Sequence, residues 1–282
     1  MAARSFTGNV LITGASSGIG LACARRLAAL GYKVYAGVRS GAARDELRSV
    51  APGITPVMLD VCQPSSVQDA VSALGGEPLA GLINNAGIAA VGPLELVAVD
   101  AWRRQFEVNV VGLVSVTQAC LPQLRRGKGR IINVGSIAGR SALPGSSAYD
   151  SSKFALEGIS DALRMELRPF DISVSLIEPG AIATRIWQKT LADLDLRQSE
   201  AAPDLRDLYR HLISRIREEV SRAPERALPP DAVADAVAHA MTTARPKARY
   251  VVGRDARLWL LLNLLPDRVR DWLILWDMRE RK

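Results

Sequence analysis

Short apolar runs rich in β-branched residues alternate with helical patterns along most of the chain. The apolar runs predict strands at 9–13, 33–38, 54–59, 81–84, 130–135, 172–177 and 249–252. Helical patterns between them predict helices at 18–30, 42–50, 65–74, 100–126, 148–168 and 231–243. The strand runs are almost continuously apolar, which is typical of strands that are buried on both faces. We therefore predict one α/β domain: a doubly wound, Rossmann-type, mostly parallel sheet with helices on both faces.

Two segments fall outside this alternation. Residues 185–229 are charged and helical in pattern, and we expect them to form a substrate loop or lid of the Rossmann domain, residues 1–253. Residues 254–282 form an Arg-rich tail with apolar blocks at 258–265 and 272–276, neither long enough to span a bilayer. We expect a helical extension. Three roles stay open for it: packing on the domain or at an oligomer interface, peripheral contact with a membrane surface, or forming one wall of an apolar substrate pocket.

Composition and charge narrow the class of protein. The chain has 282 residues and is 48% hydrophobic, which is enough for a sizeable core. Its net charge is +7, but basic and acidic residues are interspersed, which favours ordinary solvated surface over a nucleic-acid footprint. We find no secretory leader and no membrane-spanning run, so we expect a cytoplasmic protein. Three cysteines without metal-like spacing are expected to be buried, reduced thiols: Cys23, Cys62 and Cys120.

The stretch TGASSGIG, residues 13–20, joins the first predicted strand to the first helix. A strand, a Gly-rich turn and a helix place backbone N–H groups and a positive helix end at one point, which suits a phosphate. Gly14 permits the sharp turn, Gly18 allows close approach to a pyrophosphate, and Gly20 allows the helix to pack on the sheet. The predicted dinucleotide cradle comprises Gly14, Ser16, Ser17, Gly18, Ile19 and Gly20.

The second predicted strand ends in Gly37-Val38-Arg39-Ser40, where the adenosine ribose of a dinucleotide would lie. An acidic residue there binds both ribose hydroxyls and favours NAD, whereas an arginine accommodates a 2′-phosphate. This stretch has no acid and one guanidinium, whose planar donors suit a phosphate. Arg39 therefore predicts NADP(H) as the cofactor, in preference to NAD(H).

Tyr149 and Lys153 lie four residues apart in SSAYDSSKFALEG and so share one face of a predicted helix. A free phenol has a pKa of about 10, but a nearby ammonium lowers it and produces a usable general acid/base. Ser136 ends the predicted strand IINVGS, at the edge where such sheets bind ligands. A hydroxyl there can hydrogen-bond a carbonyl oxygen as a hydride arrives. The three side chains thus predict redox chemistry on a carbonyl or an alcohol.

The motifs together resemble those of the short-chain dehydrogenase/reductase family, over about residues 8–253. They occur in the family's order: Thr13-Gly14-x3-Gly18-x-Gly20, Asn84-Asn85-Ala86-Gly87, Asn109, Ser136, Tyr149-x3-Lys153 and Pro179-Gly180. The resemblance implies a catalytic tetrad of Asn109, Ser136, Tyr149 and Lys153. In it, Tyr149 exchanges a proton with the substrate oxygen. Lys153 lowers the pKa of Tyr149 and holds the nicotinamide ribose, and Asn109 carries the water of a proton relay.

The resemblance also implies further cofactor contacts and an assembly. Asp60 and Val61 would contact adenine, and Asn85 would line the adenosine side. The other implied contacts are Ala86 and Gly87 in the Asn85 motif, and Pro179, Gly180, Ile182 and Thr184 at the nicotinamide carboxamide. Family members commonly pair through the long helices predicted here at 100–126 and 148–168, so a homodimer or homotetramer is expected.

Finer matches resemble the branch that contains 17β-hydroxysteroid and retinol dehydrogenases: GPLEL, NVVG, SSKFALEG and LIEPG. That branch implies a lipophilic secondary alcohol or ketone as substrate. Asp150 departs from the family, in which small or apolar residues commonly follow the tyrosine. The leading hypothesis is an NADP(H)-dependent oxidoreductase that transfers a hydride, without a metal. The main alternative is a catalytically silent NADP-binding sensor or scaffold, which the intact tetrad disfavours; an epimerase or dehydratase is disfavoured by the short chain and the glycine spacing.

Overall fold

The computed structural model describes residues 7–51 and 53–278, and within them the predicted alternation of strands and helices is confirmed. The strands are β1 (Asn9–Ile12), β2 (Lys33–Val38), β3 (Thr55–Met58), β4 (Leu79–Asn84), β5 (Arg130–Val134), β6 (Ser173–Pro179) and β7 (Arg249–Val252). The helices are α1 (Gly18–Ala29), α2 (Gly41–Val50), α3 (Pro64–Ser72), α4 (Val99–Phe106), α5 (Gly112–Gly127), α6 (Ser147–Glu166), α7 (Ile186–Glu200), α8 (Pro203–Leu208), α9 (Arg210–Arg226), α10 (Pro230–Thr242), α11 (Arg254–Leu262) and α12 (Asp267–Asp277).

The strands form a single parallel sheet in the order β3-β2-β1-β4-β5-β6-β7. The chain moves outward from β1 to β3 and then returns to add β4 on the other side of β1. At such a switch point the loops after neighbouring strands diverge and leave a crevice at their carboxyl ends. The loops that follow β1 and β4 therefore border the expected ligand site.

Apolar residues of the sheet are buried on both faces, as the continuous apolar runs predicted. In β1, Val10 and Ile12 belong to a core that includes Leu27 of α1 and Val237 of α10. Leu11 points into the other core, which includes residues of α3 and α5. Helices therefore cover the sheet on both faces, and the Rossmann-type architecture is confirmed.

The predicted helix 100–126 is interrupted by a turn of different geometry. Its place is taken by α4 and α5 with a π-type turn, Glu107–Val111, between them. The extra residue per turn brings Asn109 inward, where it is buried. Hydrophobic periodicity does not reveal such a turn, because the apolar pattern continues on both sides of it; π-type turns often lie at functional sites.

Residues 185–229, predicted to be helical, contain α7, α8 and α9. These helices have a small apolar core of their own, formed by Leu194, Ile216 and Val220 together with Val91. The partly buried Trp187 packs against this cluster. This helical unit thus has apolar contacts of its own, next to the loop that follows β4.

The tail after β7 consists of α11 and α12, which confirms the helical extension. Its inner side packs on the domain, since Ala256 is fully buried and Ile274 nearly so. Its outer side leaves large apolar residues exposed: Leu258, Leu261, Leu264, Val269, Trp272, Leu275 and Trp276. Packing on the domain therefore accounts for one side of the tail only. In the part of the chain described, we find no helix that is both long and apolar enough to cross a membrane.

The cysteines are unbonded, and Cys23 and Cys120 are buried as predicted. Burial raises the pKa of each of these two thiols to about 12, so both are inert. Cys62 is only partly buried, which corrects the expectation for this residue. It follows the exposed end of β3, where less of the sheet covers the chain.

Candidate active site

The Gly-rich turn after β1 has the backbone geometry that a phosphate site needs. Gly14 and Gly18 have φ angles of +64° and +55°, which only glycine adopts readily. A Cβ on Gly20 would collide with the Gly14 carbonyl. This glycine therefore allows the turn itself to fold tightly, a more direct role than the helix–sheet packing expected for it. The α1 helix begins after Ser17, which makes no side-chain cap, and its first turn has no acidic residue. Its N-terminal N–H groups therefore suit an anion.

The turn is locked to the end of β4 by a reciprocal pair of side chains. The Thr13 hydroxyl accepts hydrogen bonds from the backbone N–H groups of Asn85 and Ala86, both at 2.9 Å. The Asn85 amide in turn donates to the carbonyl oxygens of Thr13, at 2.9 Å, and Gly14, at 3.0 Å. Asn85, predicted to line the adenosine side, thus holds the two edges of the crevice together. Ala86 and the exposed Gly87 continue along the same edge.

Arg39 lies directly after β2, on the same edge of the sheet, and its side chain is exposed. Ser40 caps α2 by accepting a hydrogen bond from the Ala43 N–H at 3.2 Å, which fixes the backbone beside Arg39. Asp60 and Val61 follow β3. The Asp60 carboxylate accepts a hydrogen bond from the Cys62 N–H at 3.0 Å, and Val61 is buried. All three predicted residues therefore lie at the carboxyl edge.

The segment after β6 faces the Gly-rich turn. Thr184 borders Gly18, because a Cβ on that glycine would lie 3.1 Å from the Thr184 methyl group. Ile182 is buried and its carbonyl accepts a hydrogen bond from the Trp187 indole at 2.7 Å. Pro179 ends β6, and Gly180 follows it directly. The structure therefore places this predicted nicotinamide segment opposite the phosphate turn.

Ser136 and Tyr149 are brought together as predicted. Ser136 follows β5, and its hydroxyl accepts a hydrogen bond from the Ala138 N–H at 3.1 Å. Tyr149 lies in the first turn of α6, where the Ser136 side chain is near enough to stabilise its phenolate. Burial raises the pKa of Tyr149 to about 12; the bond to Ser136 acts in the opposite direction, and the nearby Asp150 adds to the increase.

Lys153 lies one turn after Tyr149, with its nitrogen 5.7 Å from the phenol ring centroid. The nitrogen donates to the Val134 carbonyl at 3.1 Å, and burial lowers its pKa to about 8. The net pKa of Tyr149 lies above its usual value because burial of the phenolate outweighs the bond to Ser136, and the effect of Lys153 on this pKa stays a prediction. Near neutral pH, Tyr149 is therefore a protonated phenol, ready to donate.

Asn109, in the π-type turn, is placed near Tyr149 through a polar bridge. Its amide group pairs with the Ile88 backbone in both directions, at 2.9 and 3.1 Å. It also donates to the Ser152 hydroxyl at 3.0 Å, and that hydroxyl donates to the Tyr149 carbonyl at 2.7 Å. Asn109 thus fixes the first turn of α6; its side chain is fully used in these contacts.

Sequence analysis missed two members of this bridge, Gln105 and Ser152. Gln105 is fully buried, accepts from the Ala90 N–H at 2.7 Å and donates to Ser152 at 3.2 Å. Two polar amides spaced four apart within an apolar helix face, Gln105 and Asn109, were the available signal. Thr13 was likewise left out of the predicted site, although it stands in the Gly-rich motif.

Asp150, the departure from the family pattern, now has a structural role. Its carboxylate accepts a hydrogen bond from the Leu143 N–H at 2.8 Å and so holds the loop between β5 and α6. The residue is buried, which raises its pKa to about 7, and the bond from Leu143 opposes this increase. Leu143 itself is exposed at that loop.

Taken together, a dinucleotide-binding turn lies on the same sheet edge as a serine–tyrosine–lysine group that can protonate a carbonyl oxygen. The fold and this site define a nucleotide-dependent oxidoreductase. The sequence profile described as short chain dehydrogenase matches residues 8–195, two-thirds of the chain. The chain belongs to the short-chain dehydrogenase/reductase family.

Curated relatives match over nearly the whole chain. The uncharacterized oxidoreductase YbbO of Escherichia coli (strain K12) is 39% identical over 271 residues, which cover 94% of this chain and 93% of that protein. Retinol dehydrogenase 5 of Mus musculus is 33% identical, covering 95% of this chain and 87% of that protein. The 17-beta-hydroxysteroid dehydrogenase type 6 of Bos taurus is 33% identical, covering 94% of this chain and 87% of that protein. The resemblance to this branch is therefore confirmed.

Solved structures of the same family match in fold. A short chain dehydrogenase from Burkholderia cenocepacia in complex with NADP has a TM-score of 0.72 and 28% identity, covering 93% of this chain and 94% of that one. One from Burkholderia phymatum in complex with NAD has a TM-score of 0.77 and 26% identity, covering 92% and 93%. This protein is accordingly a dehydrogenase that acts on CH–OH groups with a nicotinamide cofactor.

Proposed function

We propose that the protein is an NADP(H)-dependent oxidoreductase that interconverts a carbonyl and a lipophilic secondary alcohol by hydride transfer, with Tyr149 as general acid/base. The observation that carries this proposal is the proximity of the Ser136 and Tyr149 side chains at the same sheet edge as the Gly-rich turn. A sensor or scaffold would need the turn but has no use for the pair, so catalysis is the better-supported function.

The cofactor would be held by groups at the ends of two strands and by a lysine of α6. The turn from Gly14 to Gly20 and the first N–H groups of α1 suit its pyrophosphate. Arg39 suits a phosphate on the adenosine ribose, and Lys153 the other ribose. When bound, the nicotinamide supplies or accepts the hydride. The positive φ angles of the turn and the uncapped start of α1 fit this group well.

In the reduction, the substrate oxygen gains negative charge as the hydride reaches the carbonyl carbon. The Ser136 hydroxyl can donate a hydrogen bond to this oxygen, and the Tyr149 phenol transfers its proton to it. The products are the alcohol and a Tyr149 phenolate, which takes up a proton from solvent. A phenol that is neutral near pH 7 suits this direction, and Lys153, when charged, stabilises the phenolate after transfer.

The choice of NADP(H) rests on Arg39, which is exposed after β2 and has no ion-pair partner among the described residues. Arg39→Ala should raise the Michaelis constant for NADPH about tenfold, the loss of roughly one charged hydrogen bond to phosphate. The Michaelis constant for NADH should change little. Equal effects on the two cofactors would contradict the assignment.

The proposal of a lipophilic substrate is supported by the helices of residues 185–229 and by the names of two relatives. The apolar cluster of α7 and α9 includes Val91, which belongs to the loop after β4 at the edge of the crevice. Trp187 packs against the same cluster, so the substrate side has apolar walls. The names of two relatives, a retinol and a hydroxysteroid dehydrogenase, specify compounds of this kind for those proteins.

We also propose that the protein is a homodimer or homotetramer that pairs through α4–α5 and α6. Val111, at the junction of α4 and α5, is 49% exposed, and Phe154 on α6 is 45% exposed. Apolar faces that remain uncovered after the sheet is packed favour a second copy. Light scattering that shows only monomer at micromolar concentration would contradict this assembly.

The outer side of the tail suits an anionic membrane surface. Three exposed arginines without an ion pair in the described chain, Arg254, Arg257 and Arg268, adjoin its apolar residues. Trp272 and Trp276 stack with ring centroids 6.4 Å apart, and exposed tryptophan beside arginine favours a lipid headgroup region. Co-sedimentation with phosphatidylserine vesicles, lost on Trp272→Ser/Trp276→Ser, tests this. Concentration-dependent self-association without vesicle binding would assign the surface to a second copy.

The proposed activity is tested by following oxidation of NADPH and of NADH with a panel of steroid, retinoid, fatty aldehyde and xenobiotic carbonyl compounds. We expect turnover with at least one lipophilic carbonyl, faster with NADPH. Cofactor binding without turnover, unaltered by Tyr149→Phe, would instead support the sensor.

A further inference from the structure

The backbone after β6 is held by three separate parts of the chain. The Gly180 N–H donates to the Val252 carbonyl at 2.9 Å, which extends the pairing of β6 with β7. The Leu228 N–H donates to the Ala181 carbonyl at 3.0 Å. The Ala181 N–H donates to the carboxylate of Asp255 at 2.7 Å. The third contact comes from a charged side chain of the tail.

Two glycines make room for this carboxylate. A Cβ on Gly180 would collide with the carboxylate atoms of Asp255, so the carboxylate lies directly against the backbone there. A Cβ on Gly253 would collide with it as well, and this glycine has a φ of +116°, which turns the chain from β7 into α11. Asp255 lies in the first turn of α11, where the positive helix end stabilises a negative charge. The contact is therefore specific in shape and in charge.

The other end of α11 is fixed to a second loop of the site. Asn263 donates from its amide nitrogen to the Arg140 carbonyl at 2.7 Å. Arg140 belongs to the loop that begins at Ser136, and its guanidinium donates to the nearly buried carboxylate of Glu178 at 3.2 Å. Hence α11 connects the loop of the substrate-oxygen donor with the segment opposite the phosphate turn.

We propose that Asp255 is a positioning residue for the redox reaction, and that α11 braces the nicotinamide end of the cleft through Asp255 and Asn263. This inference rests on the proposed function, because it assigns Gly180 and Ala181 to the nicotinamide half of the cofactor. Without the carboxylate, the Ala181 N–H loses a charged hydrogen bond and the segment is free to shift. The adenosine half, bound at the far end of the sheet edge, is not affected.

The test compares two ligands in equilibrium titrations: NADPH, and adenosine 2′,5′-bisphosphate, which lacks the nicotinamide half. Asp255→Ala should weaken NADPH binding about tenfold, the scale of one hydrogen bond to a charged group, and leave the bisphosphate unchanged. Asp255→Asn keeps an acceptor oxygen and should restore most of the affinity. The matched control is Asp271→Ala, another exposed tail aspartate with a surface ion pair to Arg270, and it should leave both affinities unchanged.

A second variant approaches the contact from the other side. Gly180→Ala pushes a methyl group against the carboxylate, and it too should weaken NADPH selectively. Combined with Asp255→Ala it should cost less than the two losses added, since the clash has been removed. Equal loss of both ligands, no loss of either, or full additivity would overturn the positioning role. A wild-type protein that binds neither NADPH nor NADH would instead overturn the proposed function.

Discussion

The cofactor side and the substrate side of the cleft are held in place by different means. On the cofactor side, short loops follow β1 and β4 directly, and backbone groups fix them through Thr13 and Asn85. On the substrate side, α7 and α9 contact each other through apolar side chains such as Leu194 and Ile216. Backbone hydrogen bonds allow little variation in shape, whereas side-chain packing can change from one sequence to another. Under the proposed function, the cofactor side would define the reaction and the substrate side would select the compound.

The catalytic group lies where the two sides meet, and its loss should have the largest effect. Tyr149→Phe removes the phenol proton and keeps the ring, so turnover should fall at least about a hundredfold. Cofactor affinity should barely change, because the Gly-rich turn is untouched. Steady-state kinetics and a cofactor titration measure the two effects separately; near-normal turnover would show that the proton comes from another group.

Gly20→Ala should damage the cofactor side alone. The added methyl group would meet the Gly14 carbonyl and the Asn85 amide, so the turn must shift. Overpacking of this kind costs about 1–3 kcal/mol, which corresponds to about 5- to 150-fold weaker cofactor binding. Gly41→Ala is the control, since nothing lies within 4 Å of its added methyl group. Equal weakening by both substitutions would contradict the comparison.

Lys153→Met should separate stability from function. The pKa of Lys153 is lowered to about 8 from 10.5, so the folded protein releases this proton more readily than the unfolded chain. Below pH 8 the buried charge therefore reduces stability by an amount on the order of 3 kcal/mol, and the penalty disappears as pH rises from about 8 to 10.

Lys153→Met removes this penalty but also removes the hydrogen bond to the Val134 carbonyl. We therefore expect the substitution to stabilise the cofactor-free protein by about 1–2 kcal/mol at pH 7. The gain should shrink above pH 8, and turnover should fall, though by less than in Tyr149→Phe. Urea denaturation at pH 7 and at pH 10 measures the difference. A destabilised variant at pH 7 would show that the charge is better solvated than its burial indicates.

Leu194→Ala should weaken packing on the substrate side, and its effect should be the smallest of the four substitutions. Leu194 is 2% exposed within the small cluster of α7 and α9, so a cavity forms there rather than beneath the sheet. The Michaelis constant for a bulky ketone should rise about fivefold, or about 1 kcal/mol, with cofactor affinity unchanged. Leu208→Ala, at a position 70% exposed on α8, is the control and should alter neither value.

The same contrast explains what could be predicted from the sequence. Continuous apolar runs predicted the strands, and glycine spacing predicted the turn, because both follow from the local chain. The roles of Thr13, Gln105 and Ser152 could not be predicted, because they depend on partners many residues away. The raised pKa of Tyr149 could not be predicted, because spacing reports proximity to Lys153 but not the burial of the phenol group. The contact of Asp255 with Ala181 required the path of the tail.

The π-type turn between α4 and α5 makes this helix intolerant of insertion and deletion. Each residue of a helix advances by about 100° around its axis. Removing one residue within Glu107–Val111 would restore the ordinary helical count and rotate everything that follows by that angle. The buried Val116 and Cys120 would turn away from the sheet, and Asn109 would lose Ile88. In this stretch, the number of residues matters as well as their identity.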